Sequence, residues 1–130
     1  MLLLTANMEK ILVIEDDTQV RDSVSLSLEA AGYEVIEAAT CEEGFQNQKQ
    51  FFPSVIISDI VSLEHEGGEL LRRICQQSAG IPLITLMGTL SDSQARLSRG
   101  NTFMPDSRHT LQKPFTLDEL LATVQTALIR

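Results

Sequence analysis

A chain of 130 residues with 43% hydrophobic and 22% charged side chains has the size and make-up of one globular domain, which excludes a disordered segment. Its formal net charge of −8 argues against a nucleic-acid-binding surface here and for a cation or a basic protein partner, without excluding DNA binding by a domain elsewhere. Cys41 and Cys75 stand far apart with no partner motif, and Met1-Leu2-Leu3-Leu4 is too short to span a membrane, so the reading is a cytoplasmic domain over residues 9–130 after a lead-in over 1–8.

The first strand is predicted at Lys10–Ile14, followed by Glu15-Asp16-Asp17. Val20, Val24, Leu28 and Ala31 form one stripe at helical spacing, and Gly32 ends that helix. Tyr33–Ala38 reads as the second strand. Thr40-Cys41-Glu42-Glu43 has the capping-box pattern and opens a second helix, which Gly44 and a run of Gln should weaken and Pro53 should stop. Val55-Ile56-Ile57-Ser58-Asp59 is a short apolar run ending in one carboxylate, as expected of a strand buried on both faces. A loop over Ile60–Glu66 and a Gly67-Gly68 turn lead to a third helix with Leu70, Leu71, Ile74 and Cys75 on one face, ending near Gly80. The fourth strand is predicted at Ile81–Met87, with Pro82 tolerated at its start. Ser91-Asp92-Ser93-Gln94 is a further capping box before a short fourth helix, and Asn101–Ser107 reads as loop. Arg108–Gln112 is a poor strand by composition and is expected at a sheet edge. Thr116-Leu117-Asp118-Glu119 caps a last helix that should bury Leu117, Leu120, Leu121, Val124 and Leu128. Strands alternating with helices over short loops predict an α/β fold, a parallel sheet covered on both faces, whose site lies at the C-terminal strand ends.

Glu15, Asp16 and Asp59 all fall at that edge, and Lys113 follows the last strand. Each has an ordinary explanation alone: an acidic run is usually a solvated helix start, an Asp after a strand a turn residue, a Lys a surface charge. Their convergence is harder to attribute to chance. Carboxylates brought together repel one another, and a hard divalent cation offsets that repulsion; Mg²⁺ suits best, because it takes few carboxylates and keeps waters that phosphoryl oxygens can replace. Asp59 could then act as a nucleophile on phosphorus and form an aspartyl phosphate, with the cation and Lys113 neutralising the transferred group. His65 and His109 lack metal-ligand spacing, and no Gly-rich phosphate loop is present.

With ILVIEDD at Ile11–Asp17, VIISDI at Val55–Ile60, the Gly67 turn, IPLITL at Ile81–Leu86 and KPF at Lys113–Phe115, the chain resembles a response-regulator receiver domain of bacterial two-component signalling, from Lys10 to Arg130. The resemblance implies a doubly wound, five-stranded parallel sheet in the order 2-1-3-4-5, the order the chemotaxis receiver illustrates. It implies that Asp59 is the phosphoacceptor, that Glu15, Asp16 and the backbone carbonyl of Val61 join Asp59 around Mg²⁺, that Lys113 contacts the phosphoryl group, and that a cis peptide precedes Pro114. It implies a histidine kinase or histidine phosphotransfer protein as donor. It also makes the face of the short fourth helix, last strand and last helix a candidate surface for a homodimer.

The departures from that family are specific. The Ser or Thr usual at the end of the fourth strand is Met87, flanked by Thr85 and Thr89, and the aromatic usual three residues before the Lys is Thr110. Leu63 replaces a usual Pro, and the Gly-Ala turn is missing from Asn101–Ser107. Met87 cannot donate the hydrogen bond by which the hydroxyl normally reports phosphorylation to the aromatic. The expectation is an atypical receiver that is phosphorylated without the standard switch; the alternative is a receiver fold acting as a phosphorylation-independent interaction module. An Asp-nucleophile phosphatase is disfavoured by Val61, where such enzymes carry a second acid, and a flavodoxin-like binder by the acidic loop after the first strand.

Overall fold

The computed structural model describes residues 9–59, 66–77, 80–88 and 109–129, with the side chains of 66–68 left aside. In chain order these form β1 (Lys10–Ile14), α1 (Thr18–Ala30), β2 (Glu34–Ala38), α2 (Cys41–Phe51), β3 (Val55–Asp59), α3 (Glu66–Gln77), β4 (Leu83–Met87), β5 (His109–Gln112) and α4 (Leu117–Leu128). The expected short helix after Ser91 and the loop over Asn101–Ser107 lie outside the described residues. All strand pairs are parallel, in the order β2-β1-β3-β4-β5. β1 and β3 are central and read as continuous apolar runs because both their faces are covered. β5 is the edge strand its composition predicted, and the order is the one the resemblance implied.

The pleat sends alternate residues to two cores. Ile11, Val13, Val55, Ile57, Ile84, Leu86 and Leu111 pack with Val24 and Leu28 of α1 and Leu120, Val124 and Ala127 of α4. Leu12, Ile14, Ile56 and Leu83 pack with Cys41 of α2 and Leu71 and Ile74 of α3. Both cores run up to the carboxyl ends of β1 and β3 and hold those ends rigid.

Three local expectations change. β4 starts at Leu83 rather than Ile81, because Pro82 has no N–H to give the ladder and offers only its carbonyl, which accepts from Ile56 N–H at 3.0 Å. Gly67 and Gly68 lie inside the first turn of α3, where the peptide N–H groups have no helical partner in any case, and burial of Leu71 and Ile74 outweighs their poor propensity. Leu117 is 52% exposed rather than buried, at the first position of α4.

The glycine expected to weaken α2 has a packing role. A Cβ on Gly44 would stand 2.4 Å from Cδ1 and 2.8 Å from Cγ1 of Ile14, so only glycine lets α2 approach β1 this closely. At the other end of α1, Gly32 takes φ 97, the left-handed turn that closes the helix before β2. The capping box of α4 forms in full, whereas in α2 Thr40 accepts from Glu43 N–H and Glu43 reaches past the cap to Ala39 N–H.

Candidate phosphoacceptor and cation site

The end of β1 turns into α1 within three acidic residues, each with a different task. Glu15 is 1% exposed, and its N–H continues the ladder to Ala38 C=O at 3.0 Å. Its Oε2 accepts from Asp17 N–H at 3.1 Å. Asp17 is the helix N-cap, accepting from Gln19 and Val20 N–H at 2.9 and 3.2 Å, so the ordinary helix-start reading holds for this acid alone. Asp16 is exposed and stands between them. On β3, Ser58 is fully buried and donates to the carbonyl of Asp59, whose carboxylate clears the strand end.

Carboxylate oxygens of Glu15, Asp16 and Asp59 lie within 4.8 Å of one another. Lys113 reaches across from the end of β5, its Nζ donating to Glu15 Oε1 at 2.9 Å and to Asp59 Oδ1 at 2.8 Å. The Lys113–Pro114 peptide is cis, and Lys113 N–H is held by Met87 C=O at 2.7 Å. Glu15, Asp16, Asp59 and Lys113 are thus brought together from three separate segments. Val61 and His65 lie outside the described residues.

Burial pushes the Glu15 carboxyl above its ordinary range, and the neighbouring Asp59 carboxylate pushes the same way, against the pull of Lys113. Burial alone would lower the Lys113 ammonium, but hydrogen bonds and attraction from Asp59 and Glu15 overcome it and the net shift is upward. Three carboxylates meet one ammonium, so two negative charges are left for a divalent cation to balance. The donor set is all hard oxygen, as Mg²⁺ requires.

Two features were not visible in the sequence. Arg21, one turn into α1, is only 17% exposed and donates from Nη1 to the carbonyl of Glu15 at 2.7 Å; a lone Arg in an amphipathic helix carries no signal of such a contact. A cleft of about 480 Å³ opens beside Lys113, lined by Gln19, Val20, Ser23, Val24, Pro114 and Phe115, which only the meeting of α1 with the turn after β5 creates.

On the β4–β5 side, Met87 pairs with Gln112 and Thr85 with Thr110 in the parallel register. Met87 ends β4, beside Lys113. Thr85 is buried two residues earlier, opposite Ser58, and its hydroxyl donates to Thr110 Oγ1 at 3.3 Å. Thr110 itself is exposed.

A family model described as the response regulator receiver domain matches residues 11–125. The DNA-binding dual master transcriptional regulator RpaA of Synechocystis is 32% identical over 127 residues, covering 95% of this chain and 50% of RpaA. The KDP operon transcriptional regulatory protein KdpE of Escherichia coli is 33% identical over 125 residues, covering 95% and 52%. The chain thus spans about half the length of these relatives. Among solved structures, a putative response regulator from Chloroflexus aurantiacus superposes with a TM-score of 0.76 at 28% identity, covering 95% of this chain and 100% of that one. Chemotaxis protein CheY4 of Vibrio cholerae does so with 0.74 at 29% identity, covering 93% and 99%. No helix among the described residues is long and apolar enough to cross a membrane.

Proposed function

This chain belongs to the response regulator receiver family, and on that premise we propose that Asp59 accepts a phosphoryl group from a histidine kinase or a histidine phosphotransfer protein. The observation that carries the reading is the meeting of Glu15, Asp16 and Asp59 within 4.8 Å, with Lys113 bonded to two of them. One Oδ of Asp59 attacks phosphorus; the new P–O bond forms as the P–N bond to the donor imidazole breaks, and the imidazole nitrogen keeps the electron pair and takes a proton. Glu15, Asp16 and Asp59, with the carbonyl of Val61, would hold Mg²⁺, which when bound supplies positive charge to the phosphoryl oxygens. Lys113 already donates to Asp59 Oδ1 and needs only a small displacement to donate to an oxygen of the arriving group. The apolar cleft beside Lys113 offers the donor protein a place to seat next to the nucleophile.

The reading is tested by intact mass after incubation with a small-molecule phosphodonor, with and without Mg²⁺. A single phosphoryl adduct that needs Mg²⁺ and vanishes in Asp59→Asn is expected. A folded wild-type protein that gains no adduct would sink it.

A second reading rests on Met87 and Thr110. With a thioether at the end of β4 and a short hydroxyl on β5, phosphorylation has no hydroxyl–aromatic pair through which to act. In the extreme form of this reading the chain is an interaction module whose contacts do not depend on phosphorylation. Absence of the adduct would favour that form; an adduct without movement of β4 and β5 would favour an atypical receiver with another output.

A further inference from the structure

We propose that Arg21 is a positioning residue for the acidic loop, setting the direction of Asp16 and so the cation affinity of the site; the proposal rests on the phosphoacceptor reading above. The carbonyl that Arg21 holds at 2.7 Å belongs to the Glu15–Asp16 peptide. Glu15 is fixed three times more, through its N–H to Ala38, through Oε2 to Asp17 N–H and through Oε1 to Lys113 Nζ. Asp16 is the exposed member of the triad, and rotation of that peptide would swing it away from Glu15 and Asp59. The guanidinium removes this freedom.

Arg21 is itself held in place. Its Nε lies 3.9 Å from Glu37 Oε2 on β2, and that oxygen also accepts from the Ser25 hydroxyl at 2.9 Å. The carbonyl of Glu37 accepts from the Asn47 side chain at 3.1 Å, which ties the anchor to α2. A planar fork can engage the carbonyl through one nitrogen and face Glu37 with another; an ammonium is a point charge without that fixed geometry. The chain runs Asn47–Glu37–Arg21–Glu15 carbonyl, and its bonds go to backbone carbonyls and Glu37 rather than to the carboxylates of the triad. A partner of this kind around a metal site tunes affinity without being a ligand.

The test is Mg²⁺ titration of the unphosphorylated chain by calorimetry, with Arg21→Ala, Arg21→Lys and, as a control for stability alone, Leu28→Val in the core of α1. Arg21→Ala is expected to weaken Mg²⁺ binding about ten-fold or more, and Arg21→Lys to fall clearly below wild type although it keeps the charge. Faster amide exchange at Asp16 and Asp17 should accompany both. Leu28→Val should lower the melting temperature and leave Mg²⁺ affinity unchanged. Wild-type affinity in Arg21→Lys, or an equal loss in Leu28→Val, would overturn the positioning role; if Arg21→Ala does not fold, the lysine variant alone decides. Wild-type protein that binds no Mg²⁺ would instead sink the underlying site assignment, a failure distinguishable from wild-type binding that Arg21 variants leave untouched.

Discussion

At the carboxyl ends of β1 and β3, Glu15 and Asp59 are tied down: Glu15 through its N–H, its carbonyl and its carboxylate, Asp59 through Lys113 and through Ser58 beneath it. On the neighbouring β4–β5 face, Met87 ends its strand with no group able to donate to an anion, and the nearest buried hydroxyl, Thr85, is occupied with Thr110 two residues further back. The two regions share Lys113, whose N–H hangs from Met87 while its Nζ serves the acids. The contrast teaches that accepting a phosphoryl group and reporting it make separate demands on a sheet. The first needs charge and fixed oxygens at one edge. The second needs a donor and a movable side chain one strand away.

Removing the shared cation should give the largest effect. Lys113→Ala deletes the only side-chain donor to the Asp59 carboxylate among the described residues, so the rate of adduct formation at saturating Mg²⁺ is expected to drop about 100-fold or more. Met87→Thr, on the other region, should leave that rate within about two-fold, because nothing at the end of β4 is needed for the attack. Equal losses in the two variants would break the separation.

The readout can be built back in. Met87→Thr with Thr110→Tyr places a hydroxyl at the end of β4 and an aromatic on β5, where the exposed Thr110 leaves room for a ring. Phosphorylation should then change amide exchange along β5, with a coupling of about 1–3 kcal/mol that wild type lacks. The same change in wild-type protein would show that another route already carries the signal.

Most of the acid end was legible in the sequence because its elements are local. Val55–Asp59 is apolar on both faces and then charged, and the residues that converge on Asp59 follow strands one and five directly. Arg21 and Gly44 were not legible, because what they do depends on which strand end a helix packs beside. The close contact of Gly44 with Ile14 exists only after α2 has docked, so propensity alone made the glycine look like a defect. Periodicity likewise placed Leu117 on the apolar stripe of the last helix, where the folded chain leaves it half exposed. Met87 and Thr110 were identified by position, and the parallel register sets Thr85, not Met87, opposite Thr110.

Cys41 supplies a probe on the acid side of the comparison. Burial, then repulsion from Asp59 and Asp16, pushes its thiol from 9.0 up to about 11. The folded chain therefore keeps this proton longer than the unfolded chain does. Below pH 9 the thiol contributes nothing to the pH dependence of stability; as pH rises from about 9 to 11 the unfolded state ionises first and stability falls. By pH 10.5 the thiol should account for a loss of about 2 kcal/mol relative to pH 8. Urea denaturation of wild type and Cys41→Ala at both pH values measures it as the difference between their two losses. Asp59→Asn should shrink that difference, because one of the charges holding the proton on sulfur is gone, whereas Thr110→Val should not. Identical losses in wild type and Cys41→Ala would mean that folding does not raise the thiol, and an effect of Thr110→Val as large as that of Asp59→Asn would mean that the two regions are electrostatically one.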